Sequence, residues 1–152
     1  MLAFAVDLTA DETQAPAPPP MDDVPLDRRY AQVTVDPTST SIYIGSVSLA
    51  MPPFARRNGV YSTDYTARVS PFFFYNERGH ISIEFSDDNL RQLMRGETVY
   101  FKGRALNHDG EERRIEGRAI PAGAGHGKIK VRVWVGRIEL IFNSVYRFTG
   151  AE

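Results

Sequence analysis

The sequence contains no cysteine and only three histidines among its 152 residues. The absence of cysteine excludes disulfide bonds, thiol catalysis and thiolate metal sites. His80, His108 and His126 show neither an H-x-H nor an H-E-x-x-H spacing, so the sequence predicts no metal site and no cofactor. A G-x-S-x-G elbow and a phosphate-binding loop are also missing. We therefore expect a protein that is not an enzyme.

The sequence also lacks a charge excess and a long apolar segment. Its 18 basic and 19 acidic residues give a net charge of −1, which argues against a nucleic-acid partner bound through overall charge. No apolar run approaches the ~20 residues of a membrane-spanning helix. An electrostatic partner would have to be recognised by a local patch.

The first 29 residues differ in composition from the rest of the chain. Residues 1–5 are apolar and contain Ala3-Phe4-Ala5, an A-x-A pattern typical of a signal-peptidase site, but the basic n-region and a full apolar region are missing. Prolines at five positions of residues 11–27 favour an extended linker. We expect residues 1–29 to form a disordered proline-rich leader, either a truncated export signal or a plain tail. An export signal would place the protein in the periplasm or outside a bacterial cell.

From residue 30 to residue 149, apolar and polar residues alternate with the period of two that is typical of antiparallel strands. The alternation changes parity beside Gly45, which indicates a β-bulge. Asn58-Gly59 predicts a hairpin turn. A two-residue loop at 136–137 and a three-residue loop at 108–110 each keep the apolar residues of their flanking strands on one face.

One segment has helical periodicity instead. Ser86 suits an N-cap, Leu90 and Leu93 lie on one apolar stripe, and Gly96 suits the position after the C-cap. We expect this helix, at about residues 87–95, to plug an open end of the sheet structure. The predicted fold is all-β: a single antiparallel β-barrel or β-sandwich of about 8–9 strands with one short helix.

The four consecutive aromatic residues at 72–75 define the first candidate site. If residues 76–79 form the turn, Phe72 and Phe74 point into the core opposite isoleucines of the next strand. The other face then carries aromatic side chains beside a histidine and a carboxylate, which is either covered by another segment or open as a small-molecule cleft. The candidate ligand-binding residues are Phe73, Tyr75, His80 and Glu84.

The second candidate site is the outer face of the C-terminal hairpins. Its basic and aromatic residues suit an ordinary solvated sheet face, in which Lys102 pairs with Glu116. The alternative is a cationic patch that binds an acidic glycan, a lipid headgroup or an acidic protein surface. The candidate residues for such an anionic partner are Tyr100, Lys102, Arg118, Lys130, Arg132 and Trp134.

The last strand carries Tyr146 and Phe148 at its end. This pattern resembles the C-terminal strand of bacterial outer-membrane barrels over about eleven residues, and the resemblance implies a membrane-inserted barrel with a charged interior. The sequence departs from that family because residues 149–152 follow the terminal aromatic, and a water-soluble core explains the same alternation.

Together these observations favour a non-catalytic binding or interaction module of a bacterial envelope or extracellular assembly. Two alternatives stay open. One is a small-ligand-binding β-barrel with an aromatic cleft, and the other is a small outer-membrane β-barrel.

Overall fold

The computed structural model describes residues 26–149, which form ten strands, two helices and one 3-10 turn. The helices are α1 (Leu26–Arg29) and α2 (Asp87–Met94), and the 3-10 turn is Phe73–Tyr75. The strands are β1 (Gln32–Val35), β2 (Thr38–Ile42), β3 (Gly45–Ala50), β4 (Phe54–Arg57), β5 (Val60–Ser70), β6 (Glu77–Glu84), β7 (Val99–Asn107), β8 (Glu112–Gly123), β9 (His126–Val135) and β10 (Ile138–Thr149).

Eight of these strands close into an antiparallel barrel. The order around the barrel is β5-β4-β1-β10-β9-β8-β7-β6, and pairing between β5 and β6 completes the circle. Of the two fold classes predicted from the alternation, the barrel is therefore confirmed and the sandwich is not formed. Closure pairs each of these eight strands with a neighbour on both sides, which reduces the edge available for association with another chain.

The two remaining strands, β2 and β3, extend the sheet at one end of the barrel. β3 pairs with the second half of β5, while β4 pairs with its first half. Pro52 and Pro53 lie between β3 and β4, where the missing N–H groups of proline interrupt a ladder. β2 lies beside β10, and the Thr38 hydroxyl donates to the Asn143 carbonyl at 2.7 Å.

The barrel interior is filled with apolar side chains from every strand of the closed circle. Alternation directs one residue in two inward, so each strand contributes its even or its odd positions to this core. Its most deeply buried members include Leu90 of α2. The others in this core are Tyr30, Val33, Val35, Phe54, Tyr61, Tyr65, Ile81, Phe85, Leu93, Val99, Phe101, Ala105, Ile115, Ala119 and Tyr146.

Helix α2 closes one end of the barrel, as the sequence predicted. The Ser86 hydroxyl accepts from the Asn89 backbone N–H at 3.1 Å, and the Asn89 side chain accepts from the Ser86 N–H at 2.9 Å, forming a capping box. Leu90 and Leu93 are buried, and Gly96 adopts a φ of 82° just past the C-cap. We call this the plugged end and the opposite one the open end.

Replacing Ser86 with alanine is expected to lower the free energy of unfolding by about 1 kcal/mol, because it removes the acceptor for the Asn89 N–H. Urea denaturation followed by circular dichroism measures the change. Ser82→Ala, on the outer face of β6, is the control and should change the stability by less than about 0.5 kcal/mol. Equal effects of the two substitutions would contradict the cap.

The hairpin registers predicted by arithmetic are confirmed. Val131 lies opposite Phe142 in the β9–β10 hairpin, and Phe101 lies opposite Gly117 in the β7–β8 hairpin. Gly110 has a φ of 83°, the left-handed conformation that the three-residue loop requires. The turn at Asn58-Gly59 is also present, between β4 and β5.

Two local predictions were wrong. The change of parity beside Gly45 is a hairpin turn at residues 43–44, because Ile42 pairs with Gly45 and the chain reverses there. The aromatic run is not a strand either: Phe72 and Phe74 do not face isoleucines in the core, since β6 already starts at Glu77 and pairs with β5. Pro71 cannot donate to a sheet ladder, and the segment after it folds into the 3-10 turn.

The predicted leader lies almost wholly outside the described residues. Only its last four positions, Leu26–Arg29, are described, and they form α1 rather than extended chain. The Arg29 guanidinium lies 5.3 Å from the centre of the Tyr30 ring. No helix among residues 26–149 is long and apolar enough to span a lipid bilayer.

Candidate functional site

The open end of the barrel contains a cleft of about 890 Å³. It is formed by the ends of the strands and by the turns that connect them at this end. The side chains that line it are mostly apolar, including Val69, Val135 and Leu140, and its floor includes Ile81 and Phe142. This volume lies within the range of about 300–1,000 Å³ that is typical of small-molecule sites.

The cleft leads towards a second, smaller cavity inside the barrel. That cavity has a volume of about 80 Å³ and is lined almost entirely by apolar side chains. Leu49, Ile81, Val133 and Phe142 line both spaces. An apolar ligand in the cleft would therefore contact the apolar interior of the barrel directly.

Three side chains form a polar cluster in the wall of the cleft. The Tyr65 hydroxyl donates to Oε2 of Glu77 at 2.5 Å, and Nη2 of Arg113 donates to Oε1 of Glu77 at 2.8 Å. The Arg113 and Glu77 side chains are only 15% and 17% exposed. Their mutual pairing compensates for the loss of hydration that burial imposes on each charge.

Two further residues extend this cluster at the β7–β8 turn. Nη2 of Arg113 also donates to Oε1 of Glu111 at 3.1 Å, and Nδ2 of Asn107 donates to the same oxygen at 3.0 Å. The Asn107 side-chain oxygen accepts from the backbone N–H groups of Asp109 and Glu111, at 2.9 and 2.8 Å. The turn thus holds the carboxylate of Glu111 in place beside Arg113.

The ionisation of the cluster follows from these contacts. Burial raises the pKa of the Tyr65 hydroxyl well above its ordinary value, and the hydrogen bond to Glu77 raises it further. Burial also acts to raise the pKa of the Glu77 carboxyl, but hydrogen bonds from Arg113 and Tyr65 outweigh it and lower that pKa. The hydrogen bond to Glu77 raises the pKa of Arg113. At neutral pH the cluster therefore contains neutral Tyr65, ionised Glu77 and charged Arg113.

The cluster still has hydrogen-bonding capacity for a ligand. Within residues 26–149, Nη1 of Arg113 donates no hydrogen bond, although the side chain lines the cleft. Two carboxylates, Glu77 and Glu111, share this one guanidinium, so the cluster has a net charge of −1. An uncharged hydrogen-bond acceptor such as a carbonyl or a hydroxyl suits this cluster, whereas its net negative charge would repel an anion.

Exposed apolar side chains lie at the mouth of the cleft. Tyr43 and Ile44 form the turn between β2 and β3, and they are 102% and 61% exposed. Phe73, Phe74 and Tyr75 form the turn between β5 and β6, and they are 74%, 66% and 67% exposed. We call these five residues the apolar rim.

The structure does not bring the four predicted ligand-binding residues together. Phe73 and Tyr75 belong to the apolar rim, and of the four only Tyr75 lines the cleft. His80 and Glu84 are exposed on the outer wall of β6, where Nδ1 of His80 lies 3.1 Å from Oδ1 of Asp64. The predicted cleft was therefore misplaced, because it assumed that residues 72–75 continue as a strand in register with β6.

The second predicted surface is contiguous on the outer wall of the barrel. Register places Tyr100, Arg118 and Lys130 in one row across β7, β8 and β9, and it places Lys102 and Arg132 on either side of Glu116 in the next. Several of its cations have acidic neighbours: Arg132 lies 3.5 Å from Glu139, and Arg114 lies 3.9 Å from Glu116. The Arg114 guanidinium also lies 4.0 Å from the centre of the Trp134 ring. Trp134 thus already has a cationic neighbour.

The sequence analysis missed the polar cluster itself. The sequence signal for it was the alternation of the strands. Glu77 lies an even number of residues from inward-facing Ile81, and Arg113 lies an even number from inward-facing Ile115, so both face inward. A charged residue at an inward-facing strand position is rare unless it is paired. Glu77 can pair with Arg113 because β6 and β8 lie on either side of β7 and both pair with it. No local sequence pattern predicts that arrangement. No three His, Asp or Glu side chains among residues 26–149 are arranged to hold a metal ion.

Comparison of the chain with protein-family models, with curated proteins and with solved structures gives no match. The function must therefore be argued from the geometry of the barrel.

Proposed function

We propose that the barrel is a non-catalytic binding protein that takes a small, mostly apolar molecule with an uncharged polar end into the cleft. The observation that carries this proposal is the cleft of about 890 Å³, which shares lining residues with an apolar cavity inside the barrel and has one polar cluster in its wall. Small-molecule sites typically combine an apolar lining with a few fixed polar groups. The bound ligand places its apolar part against Ile81 and Phe142, and its polar end accepts a hydrogen bond from Arg113.

The other functions considered from the sequence have weaker support. An outer-membrane barrel carries its apolar residues outside and its polar residues inside, whereas this barrel has the opposite arrangement. The outer face of β7, β8 and β9 carries carboxylates that compensate part of its positive charge. Recognition of an anionic partner by that face stays a prediction, as does export of the protein to a bacterial envelope.

The ligand class can be tested with an uncharged fluorescent probe, N-phenyl-1-naphthylamine, whose emission rises in an apolar environment. We expect saturable binding to the full chain. Competition with 1-decanol, decanoate and decylamine, which share the chain length and differ in the head group, separates the contribution of the polar end. Decanol should displace the probe at least about tenfold more effectively than decanoate, because Glu77 and Glu111 repel a carboxylate. Preferential displacement by decanoate would contradict the proposed ligand class.

Filling the cleft should weaken the binding of this probe. Ala67 lines the cleft, and Ala67→Phe is expected to weaken binding by roughly tenfold or more, because the added ring occupies the space of the ligand. Val69→Phe is a second variant nearer the mouth. Thr66→Phe is the matched control, since Thr66 is the neighbouring residue of β5 and is exposed on the outer wall. Unchanged affinity in both cleft variants would show that the probe binds elsewhere.

A further inference from the structure

The apolar rim lies on two neighbouring turns of the open end, because β3 pairs with β5 and Ser46 lies opposite Ser70. The Phe72–Tyr75 segment has a defined internal structure: the rings of Phe74 and Tyr75 lie 4.7 Å apart, and those of Phe73 and Phe74 lie 6.0 Å apart. The Asn76 side chain accepts from the Val69 backbone N–H at 2.7 Å, which ties this turn to β5. The structure thus holds these large side chains outward in a fixed arrangement.

Exposure of so much apolar surface at one end calls for a physical explanation. Single exposed apolar residues are ordinary on protein surfaces, but a contiguous group of them marks a contact with a partner, a ligand or a lipid. Phe74, Tyr75, Tyr43 and Ile44 line the mouth of the cleft with part of their surface, yet each of them is more than 60% exposed. A ligand inside the cleft would therefore leave much of the rim uncovered.

The charges at the open end indicate which kind of surface would cover the rim. Arg68 and Arg78 lie on the outer wall beside the aromatic turn, Arg137 lies in the turn between β9 and β10, and all three are exposed. None of these three arginines forms an ion pair with another residue in the range 26–149.

The carboxylates at the same end lie beside basic side chains. Glu77 and Glu111 contact Arg113, Asp109 lies 3.6 Å from His108, and Glu139 lies 3.5 Å from Arg132. These contacts leave at most two negative charges uncompensated, fewer than the three arginines without an ion pair in the described part of the chain, so the arginines complement an anionic surface.

We propose that the open end docks on the surface of an anionic lipid bilayer, with the apolar rim inserted at the level of the headgroups and Arg68, Arg78 and Arg137 contacting the lipid phosphates. Tyrosine and phenylalanine suit this position because their rings are apolar, and the tyrosine hydroxyl still reaches water. Separate projecting turns can enter a fluid interface without a complementary rigid partner. Basic residues beside an anionic leaflet add attraction that salt weakens. The docking does not depend on the identity of the ligand, but it would open the cleft towards the bilayer.

Flotation of the full chain with lipid vesicles tests this proposal. We expect binding to vesicles of phosphatidylcholine mixed with phosphatidylglycerol, and binding at least about tenfold weaker to phosphatidylcholine alone or at high salt. The variant Phe73→Ser with Phe74→Ser should lower the apparent affinity by roughly tenfold or more. The matched control is Tyr100→Ser with Leu106→Ser, which removes two apolar side chains, 71% and 53% exposed, from the outer wall and should bind as the native chain does.

The arginines are tested separately with Arg68→Gln, Arg78→Gln and Arg137→Gln combined. Vesicle binding by this variant should lose most of its dependence on salt. Binding by Arg104→Gln with Arg114→Gln, on the outer wall, should keep that dependence. Absence of vesicle binding by the native chain would overturn the proposal, and so would equal losses in the rim and wall variants. Self-association of the native chain that is abolished by the rim variant would also overturn it, because a second copy would then cover the rim. Ala67→Phe should still bind vesicles, which separates this proposal from that of a ligand in the cleft.

Discussion

Replacing Arg113 with leucine is expected to lower the free energy of unfolding by about 3 kcal/mol at pH 7. The substitution leaves the carboxylate of Glu77 largely buried without its cation, although the Tyr65 hydroxyl still donates to it at 2.5 Å. An uncompensated charge in this position loses its hydration and gains too little in return. Urea denaturation at neutral pH measures the change.

The effect of Arg113→Leu should depend on pH in a defined direction. In the native chain the pKa of Glu77 lies below its ordinary value of 4.5, so its contribution to stability is present above that pH and is lost as the pH falls through the lowered pKa. Without Arg113, burial favours the protonated carboxyl. The difference in stability between the native chain and the variant should therefore shrink as the pH is lowered towards about 4.

Two comparisons isolate the ion pair from a general effect of losing an arginine. Arg104→Leu removes a guanidinium that is 75% exposed and lies 3.4 Å from Glu112, so it should cost no more than about 0.5 kcal/mol. The double variant Glu77→Leu with Arg113→Leu should regain at least about 1 kcal/mol of the single variant's loss, because no buried charge then lacks a partner. A loss in Arg113→Leu that stays constant between pH 7 and pH 4 would contradict this account.

Replacing Leu90 with alanine is also expected to lower the free energy of unfolding by about 3 kcal/mol. Leu90 is completely buried where α2 closes the plugged end, and its side chain belongs to the same core as Val99 and Ile115. The substitution removes the burial of the leucine side chain and leaves a cavity that the rigid barrel can only partly close. Thermal or urea unfolding of the variant measures the loss.

The matched control for Leu90 is Met94→Ala in the same helix. Met94 is 36% exposed, so its truncation should cost less than about 1 kcal/mol. The open end should be unaffected by either substitution, and N-phenyl-1-naphthylamine should bind Leu90→Ala with native affinity under conditions in which the variant is folded. Equal destabilisation by the two substitutions would show that α2 does not act as a plug through its buried face.

The local pattern of the sequence was sufficient to predict several elements of the fold. The stretch from Ser86 to Gly96 contains its own cap, apolar stripe and terminating glycine, so α2 could be predicted without knowledge of its neighbours. The β7–β8 and β9–β10 hairpins could be registered because one register alone keeps the apolar residues on one face.

Local reasoning failed where two structures fit the same residues. Four consecutive aromatic residues suit a strand by propensity, but between Pro71 and Asn76 they form a turn in which all but Phe72 are exposed. The parity change at Gly45 suited a bulge as well as a hairpin, and only the pairing of β2 with β3 distinguishes the two.

What the sequence determined by itself is the alternation of strands, the helix and the separate hairpins, because these depend on residues close together in the chain. The tertiary structure decided the closure of the barrel, since β1 pairs with β10 across more than a hundred residues of intervening chain, as in Gln32 with Thr149. Closure in turn decided the site. It places Glu77 and Arg113 together in the wall of a cleft and gathers the apolar rim around its mouth, and no residue's own neighbours in the sequence specify either arrangement.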